Sequence, residues 1–245
     1  MRMKYSILLV ALLLSACAAP VAGSAVWLKA NAGVTADGGG VSSGADQSGN
    51  GNNATMAVKA RQPSLIRRGM SGKPVIRFDG AQSLALTKPV SPNTFTVFVV
   101  GRNRMAGDDF SMILGPGGNT PNNQLRWEGG CHVLYVGTGN EMPPFSVAIG
   151  DTRIAHILTL RYQDSNMQVY RDGRLVSQAT FSTNGPWTLS QIGAWYSKHY
   201  MVGDVAELLI YPSSLPDASV NQTTAYLRAK YFKDTTADAV PGCSP

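Results

Sequence analysis

Acid–base chemistry on a glycosidic bond needs two carboxylates about 5 to 10 Å apart. The 15 Asp and Glu residues of this 245-residue chain include no E-x-D-x-x-E strand of the kind that presents such a pair. The three histidines, His132, His156 and His199, have neither metal-ligand spacing nor a nucleophile beside them. His156 falls in an apolar run and is expected in the core. Gly-x-Ser-x-Gly and phosphate-loop signatures do not occur. Glu207 is flanked by Val205-Ala206 and Leu208-Leu209-Ile210, so either face of its strand buries it. A lone buried charge is very costly. The expected role is structural, in an ion pair with Arg77, which lies on another apolar strand. No catalytic residue is assigned, and an enzyme is not expected.

Two other groupings carry chemistry. Asp46, Asn50, Asn52 and Asn53 crowd oxygen acceptors into one loop bent by Gly49 and Gly51. Hard cations take six to eight such oxygens, so Asp46 and Asn50 are candidate calcium ligands, with Asp79, Asp204 or Glu207 as further carboxylates. The same residues build Asx turns without any ion. Calcium is the one cofactor the sequence brings into question. Aromatic rings form the second grouping: Trp195, Tyr196 and Tyr200, with His199 between them, crowd one connection. Trp127 and Trp187 lie in other turn-rich regions, and Trp27 is expected in the core. Exposed rings stack on sugar faces and anchor protein partners alike. Trp195, Tyr196 and Tyr200 are therefore the candidate ligand-binding residues, and capping the end of a sheet is their other use.

The chain begins with a basic head, Arg2 and Lys4, and a short apolar run, residues 7–14. That run is below the roughly 20 residues a bilayer span needs and has the form of an export signal. It closes on Leu14-Ser15-Ala16-Cys17, which resembles the lipobox of bacterial lipoproteins. The resemblance implies cleavage after residue 16 and acylation of Cys17, with an ordinary signal peptide as the alternative. Ala18, not aspartate, follows the cysteine, and in Gram-negative sorting this implies the outer membrane. Residues 17–24 then form a tether. The remaining cysteines, Cys131 and Cys243, are expected to pair in an oxidising envelope, or else to stand as two unrelated thiols. A bond between them would tie the tail, residues 234–245, to the body of the fold.

What positions these groups is a set of strands. Charged residues are sparse at 15%, while glycine (26) and proline (14) are plentiful, as suits short strands joined by tight turns. Strand chemistry marks residues 25–30, 74–80, 94–100, 154–162, 167–170, 174–176, 191–194 and 205–211. Asp172-Gly173 is a hairpin turn. Only residues 217–232 read as helix, with Val220, Thr224, Leu227 and Tyr231 on one face. There is no strand–helix alternation and no internal repeat. The net charge is +6, but the basic residues are scattered along the chain, only Arg67-Arg68 being adjacent. Nucleic acid is therefore not an expected partner.

The run Ala25-Val26-Trp27-Leu28-Lys29-Ala30, with Asp46-Gln47-Ser48-Gly49-Asn50-Gly51-Asn52-Asn53-Ala54, resembles the opening of bacterial concanavalin-like, laminin-G-type jelly rolls. Gly72-Lys73-Pro74-Val75-Ile76-Arg77-Phe78-Asp79-Gly80, Gly203-Asp204-Val205-Ala206-Glu207-Leu208-Leu209-Ile210-Tyr211 and Tyr226-Leu227 extend the likeness across the domain. It implies an all-β, two-sheet antiparallel jelly-roll sandwich over residues 25–233, with one short C-terminal helix. The family hosts lectin-like modules, adhesion domains and, in its wider clan, hydrolases and lyases. Of the lyase motifs, Gln124-Leu125-Arg126-Trp127-Glu128 and Tyr231-Phe232-Lys233 are faint echoes. The expectation is a lectin-like lipoprotein of the cell envelope that binds a glycan or a surface protein and meets the membrane through its lipid alone. A structural envelope component and a polysaccharide hydrolase or lyase are the alternatives.

Overall fold

The computed structural model describes residues 19–105, 111–117, 124–128, 133–137, 145–180, 186–195 and 199–232. The expected Cys131–Cys243 pair, Cys17 and Tyr196 lie outside these residues.

Strands dominate, and all the pairings are antiparallel. Phe95–Asn103 and Val202–Tyr211 are the central pair of the first layer. Val26–Lys29 joins one end of the second of these, and Lys73–Asp79 the other, with Ser64–Met70 outside it. His156–Gln163, Asn166–Arg171 and Arg174–Thr180 continue from Phe95–Asn103 as consecutive hairpins. The second layer runs from Val34–Asp37 and Gly40–Gly44 through Ala54–Thr55, Leu84–Val90 and Leu189–Ile192. Ser111–Gly115, Gln124–Glu128, Val133–Gly137 and Phe145–Ala148 complete it. This is the jelly-roll sandwich expected from the sequence, and the helix Asp217–Tyr231 is present at its C-terminal end.

Two apolar layers hold the domain. Between the sheets, Val97 and Val99 meet Leu208 and Ile210 from the first layer, and Leu125, Trp127 and Leu134 from the second. Outside the first sheet, Phe98, Val100, Ala206, Leu209 and Tyr211 pack under the helix. That explains why residues 94–100 carry no polar alternation: both faces of the strand are covered. The helix buries Val220, Thr223, Thr224, Leu227 and Tyr231, the face its spacing predicts plus one threonine. Arg228 and Lys230 occupy its last turn, where cations favour the helix dipole.

Three placements differ from the sequence-based expectation. Trp127 and Trp187 are wholly buried, so they fill the core between the sheets and are not loop aromatics. Trp187 stacks on Phe95 at 4.5 Å between ring centroids. Trp27 is only partly buried and lies on the helix side of the first sheet, edge-on to Tyr226. Glu207 does not pair with Arg77. The strand bulges between Val205 and Glu207, and the extra residue turns both Ala206 and Glu207 toward the helix. Glu207 is thus carried to Lys230 (2.6 Å), Tyr231 Oη (2.9 Å) and Trp27 Nε1 (2.6 Å). Arg77 instead binds Asp204, at 2.7 Å.

Residues 19–24 of the expected tether lie along the domain. Val21 N donates to Thr223 Oγ1, and Tyr211 Oη donates to Val21 O at 2.8 Å.

Candidate functional site

Of the candidate aromatics, Trp195 and Tyr200 sit on a small hairpin, Ala194–Trp195 paired with His199–Tyr200, that leaves the end of Leu189–Ile192. Two glycines permit its position. Gly193 has φ +80, and a Cβ there would lie 2.4 Å from the Phe78 ring. A Cβ on Gly115 would lie 2.8 Å from Ala194 O, so a bare backbone lets the hairpin rest on Ser111–Gly115. Hydrogen bonds then fix its base: Gly193 N donates to Ile113 O, and Met201 N to Gly193 O. Ser111 Oγ bridges both backbone groups of Val202.

On this frame the Trp195 and His199 rings stack, with centroids 5.0 Å apart and 18° between planes. Trp195, His199 and Tyr200 are all half-exposed. The structure therefore brings Trp195 and Tyr200 onto one hairpin, while Tyr196 falls outside the described residues. The strand next to Ser111–Gly115 adds polar groups. Gln124, Arg126 and Glu128 alternate with the core residues Leu125 and Trp127 and so share the face away from the core. Arg126 binds Glu128 at 2.9 Å and also contacts Gln124. Sequence reasoning saw these three only as a lyase echo; the signal it lacked was the pairing that sets them one strand from the hairpin's support. A stacked ring, a phenol, a guanidinium and a carboxylate can together bind a sugar face and its hydroxyls.

The Asp46 loop is folded around its own side chains. Asp46 Oδ1 accepts from Trp27 N and Ser48 N, each at 2.9 Å, and Oδ2 accepts from Ser48 Oγ and Asn52 N. Burial by itself would raise the Asp46 pKa, but the bonds from Ser48, Trp27 and Asn52 hold it below the usual value. Asn50 Nδ2 donates to Ser24 O, and Asn52 bonds both backbone groups of Lys88. The loop thereby staples the first strand to Leu84–Val90. The other carboxylates named for calcium are engaged elsewhere: Asp79 with Arg104, Asp204 with Arg77 and Arg102, Glu207 with Lys230. This donor set fits an Asx turn and does not fit a calcium ion without displacing those donors. Among the described residues no three His, Cys, Asp or Glu side chains cluster.

His156 is fully buried, as expected of a core histidine. Its Nδ1 pairs with Ile154 O at 2.9 Å, and its ring meets Trp127 edge-on. Burial, with Arg171 nearby, lowers its pKa to about 4.

No family model matches the chain, and no curated protein matches its sequence. Solved structures do share its architecture. A Trypanosoma rangeli sialidase in complex with sialic acid aligns with a TM-score of 0.60 at 17% identity, over 86% of this chain and 34% of that one. The CBM40 of a Ruminococcus gnavus IT-sialidase, bound to alpha2,3 sialyllactose, aligns at 0.50 and 11% identity, over 64% of this chain and all of that one. The binding domain of Paraclostridial Mosquitocidal Protein 1 aligns at 0.55 and 13% identity, over 82% and 52%. The chain spans about a third of the sialidase it matches. At these identities the similarity establishes a common β-sandwich fold.

Proposed function

We propose that this protein is a glycan-binding module of the bacterial cell envelope, held by a lipid on Cys17 at the outer membrane. The observation that carries the binding role is the braced hairpin with half-exposed Trp195 and Tyr200, its support Ser111–Gly115 paired to the Gln124–Glu128 strand. The fold is shared with a CBM40 described as bound to sialyllactose, which supports a sugar over a protein as the ligand. Leu14-Ser15-Ala16-Cys17 supports the lipid anchor. The direct test of binding is a glycan array probed with residues 18–245 and with Trp195→Ala. Binding in the first and at least a tenfold loss in the second is expected. An array without hits overturns the glycan role, and cleavage of a bound glycan would make the protein an enzyme. Globomycin treatment of expressing cells tests the anchor: precursor should accumulate, and unaffected processing would remove the lipid.

A further inference from the structure

Charges that look scattered in the sequence converge in the fold. Residues 59–104 hold nine Lys or Arg and a single acidic residue, Asp79, a surplus of eight in a chain whose total is +6. Strands Ser64–Met70 and Lys73–Asp79 pair with each other and then with Val202–Tyr211, which pairs in turn with Phe95–Asn103. Side by side on this surface, Arg77 and Arg102 grip the buried carboxylate of Asp204 at 2.7 and 2.8 Å, yet remain 23% and 32% exposed. Arg102 also reaches Gly69 O at 3.3 Å, on the strand that carries Arg67 and Arg68. Those two stand exposed where the strand bulges between Ile66 and Met70, and Lys73 is exposed at the turn that follows. Arg104 extends the row, bonded to Asp79 at 2.8 Å. Among the described residues, six cations therefore meet two carboxylates, leaving a surplus of four.

We propose that this surface is a second binding site, for an acidic polysaccharide. Arginine presents a planar fork that suits carboxylate and sulfate groups. Neighbouring strands lie about 4.8 Å apart, so charges carried across four of them form a row of roughly 14 Å that suits a chain polymer. An anionic bilayer would also attract the row but would favour apolar side chains able to enter it. Among the described residues the exposed large apolar ones are Val58, Ile154 and Leu175, none of them in the row. The site does not rest on the aromatic hairpin.

Dextran sulfate, with neutral dextran as control, is the probe for titration against the soluble domain. Binding to dextran sulfate alone is expected, with a log–log salt slope of about −3, from roughly 0.7 per ionic contact on a flexible polyanion. Arg67→Glu with Arg68→Glu should reduce affinity at least tenfold and flatten the slope, at unchanged melting temperature. Lys73→Glu should act in the same direction, and Trp195→Ala should stay within twofold of the parent. Unchanged affinity in the charge-reversed variants overturns the site. An equal loss in Trp195→Ala would merge it with the hairpin. Tighter binding to phosphatidylglycerol vesicles than to dextran sulfate would assign the surface to lipid instead.

Discussion

Replacing Glu207 with glutamine tests whether this carboxylate holds the helix to the sheet. The side chain is wholly buried, and Lys230, its ion partner, is 15% exposed. Glutamine has nearly the same shape, and its one carbonyl oxygen can still accept from Trp27 Nε1, while its amide NH2 replaces the oxygen that accepts from Tyr231 Oη and Lys230 Nζ. It also removes the charge opposite Lys230, whose remaining side-chain acceptors are Asn31 Oδ1 at 3.1 Å and Tyr226 Oη at 3.4 Å. Taking one partner from a buried pair costs about 3 to 5 kcal/mol. The residual exposure of Lys230 and its contact with Asn31 place the expected loss near the lower end, at about 3 kcal/mol. In a domain of this size that lowers the melting temperature by roughly 6 to 12 °C. Urea unfolding with far-UV detection gives the free energy directly. Adding Lys230→Met to Glu207→Gln should recover part of the loss, since the stranded cation is then gone. A loss below about 1 kcal/mol, or strict additivity of the two changes, would refute the structural role.

Other consequences follow from buried or committed groups. His156 is neutral in the fold because its pKa falls to about 4, while the unfolded chain titrates near 6.5. Below pH 6.5 the unfolded state binds the extra proton, so stability should fall by roughly 3 kcal/mol between pH 6.5 and 4; His156→Phe should flatten that slope in acid denaturation, and an identical slope would refute the assignment. Asp46→Ala removes the acceptor for three backbone N–H groups and one hydroxyl. It should cost about 2 to 3 kcal/mol in chemical unfolding, and a loss under 1 kcal/mol would refute the staple. With those oxygens committed, millimolar calcium or chelator should leave the parent's melting temperature unchanged, whereas a calcium-dependent rise would restore the cation site. Thiol titration of the unfolded, unreduced soluble domain should find none free if Cys131 and Cys243 are bonded; two free thiols would overturn the pairing.

Much of the architecture was legible because local chemistry and burial agreed. Residues 94–100 had to lie between two apolar layers, and the spacing of Val220, Thr224, Leu227 and Tyr231 could serve only a helix with one covered face. Strand Ser64–Met70 was not legible, since Arg67-Arg68-Gly69 breaks any apolar rhythm and the strand is held by pairing to its neighbour. Leu84–Val90 escaped for a similar reason: it buries only Leu84, Leu86 and Val90, with lysine and proline between. The aromatic hairpin was visible as composition, but its bracing depends on Gly193 against Phe78 and Gly115 against Ala194, contacts between segments remote in sequence.

By itself, then, the sequence determined the helix and the central strands, the two-sided burial of those strands, and the need for Glu207 to have a partner. The tertiary structure decided who that partner is. A one-residue bulge after Val205 reverses which way the following side chains point, and no pattern along the strand announces it. The same holds for charge: separation in sequence said nothing about Arg68, Arg77, Arg102 and Arg104, which antiparallel pairing of four strands sets in one row. Periodicity is a local property and survives in the sequence, whereas register and proximity are properties of paired strands and exist only in the fold.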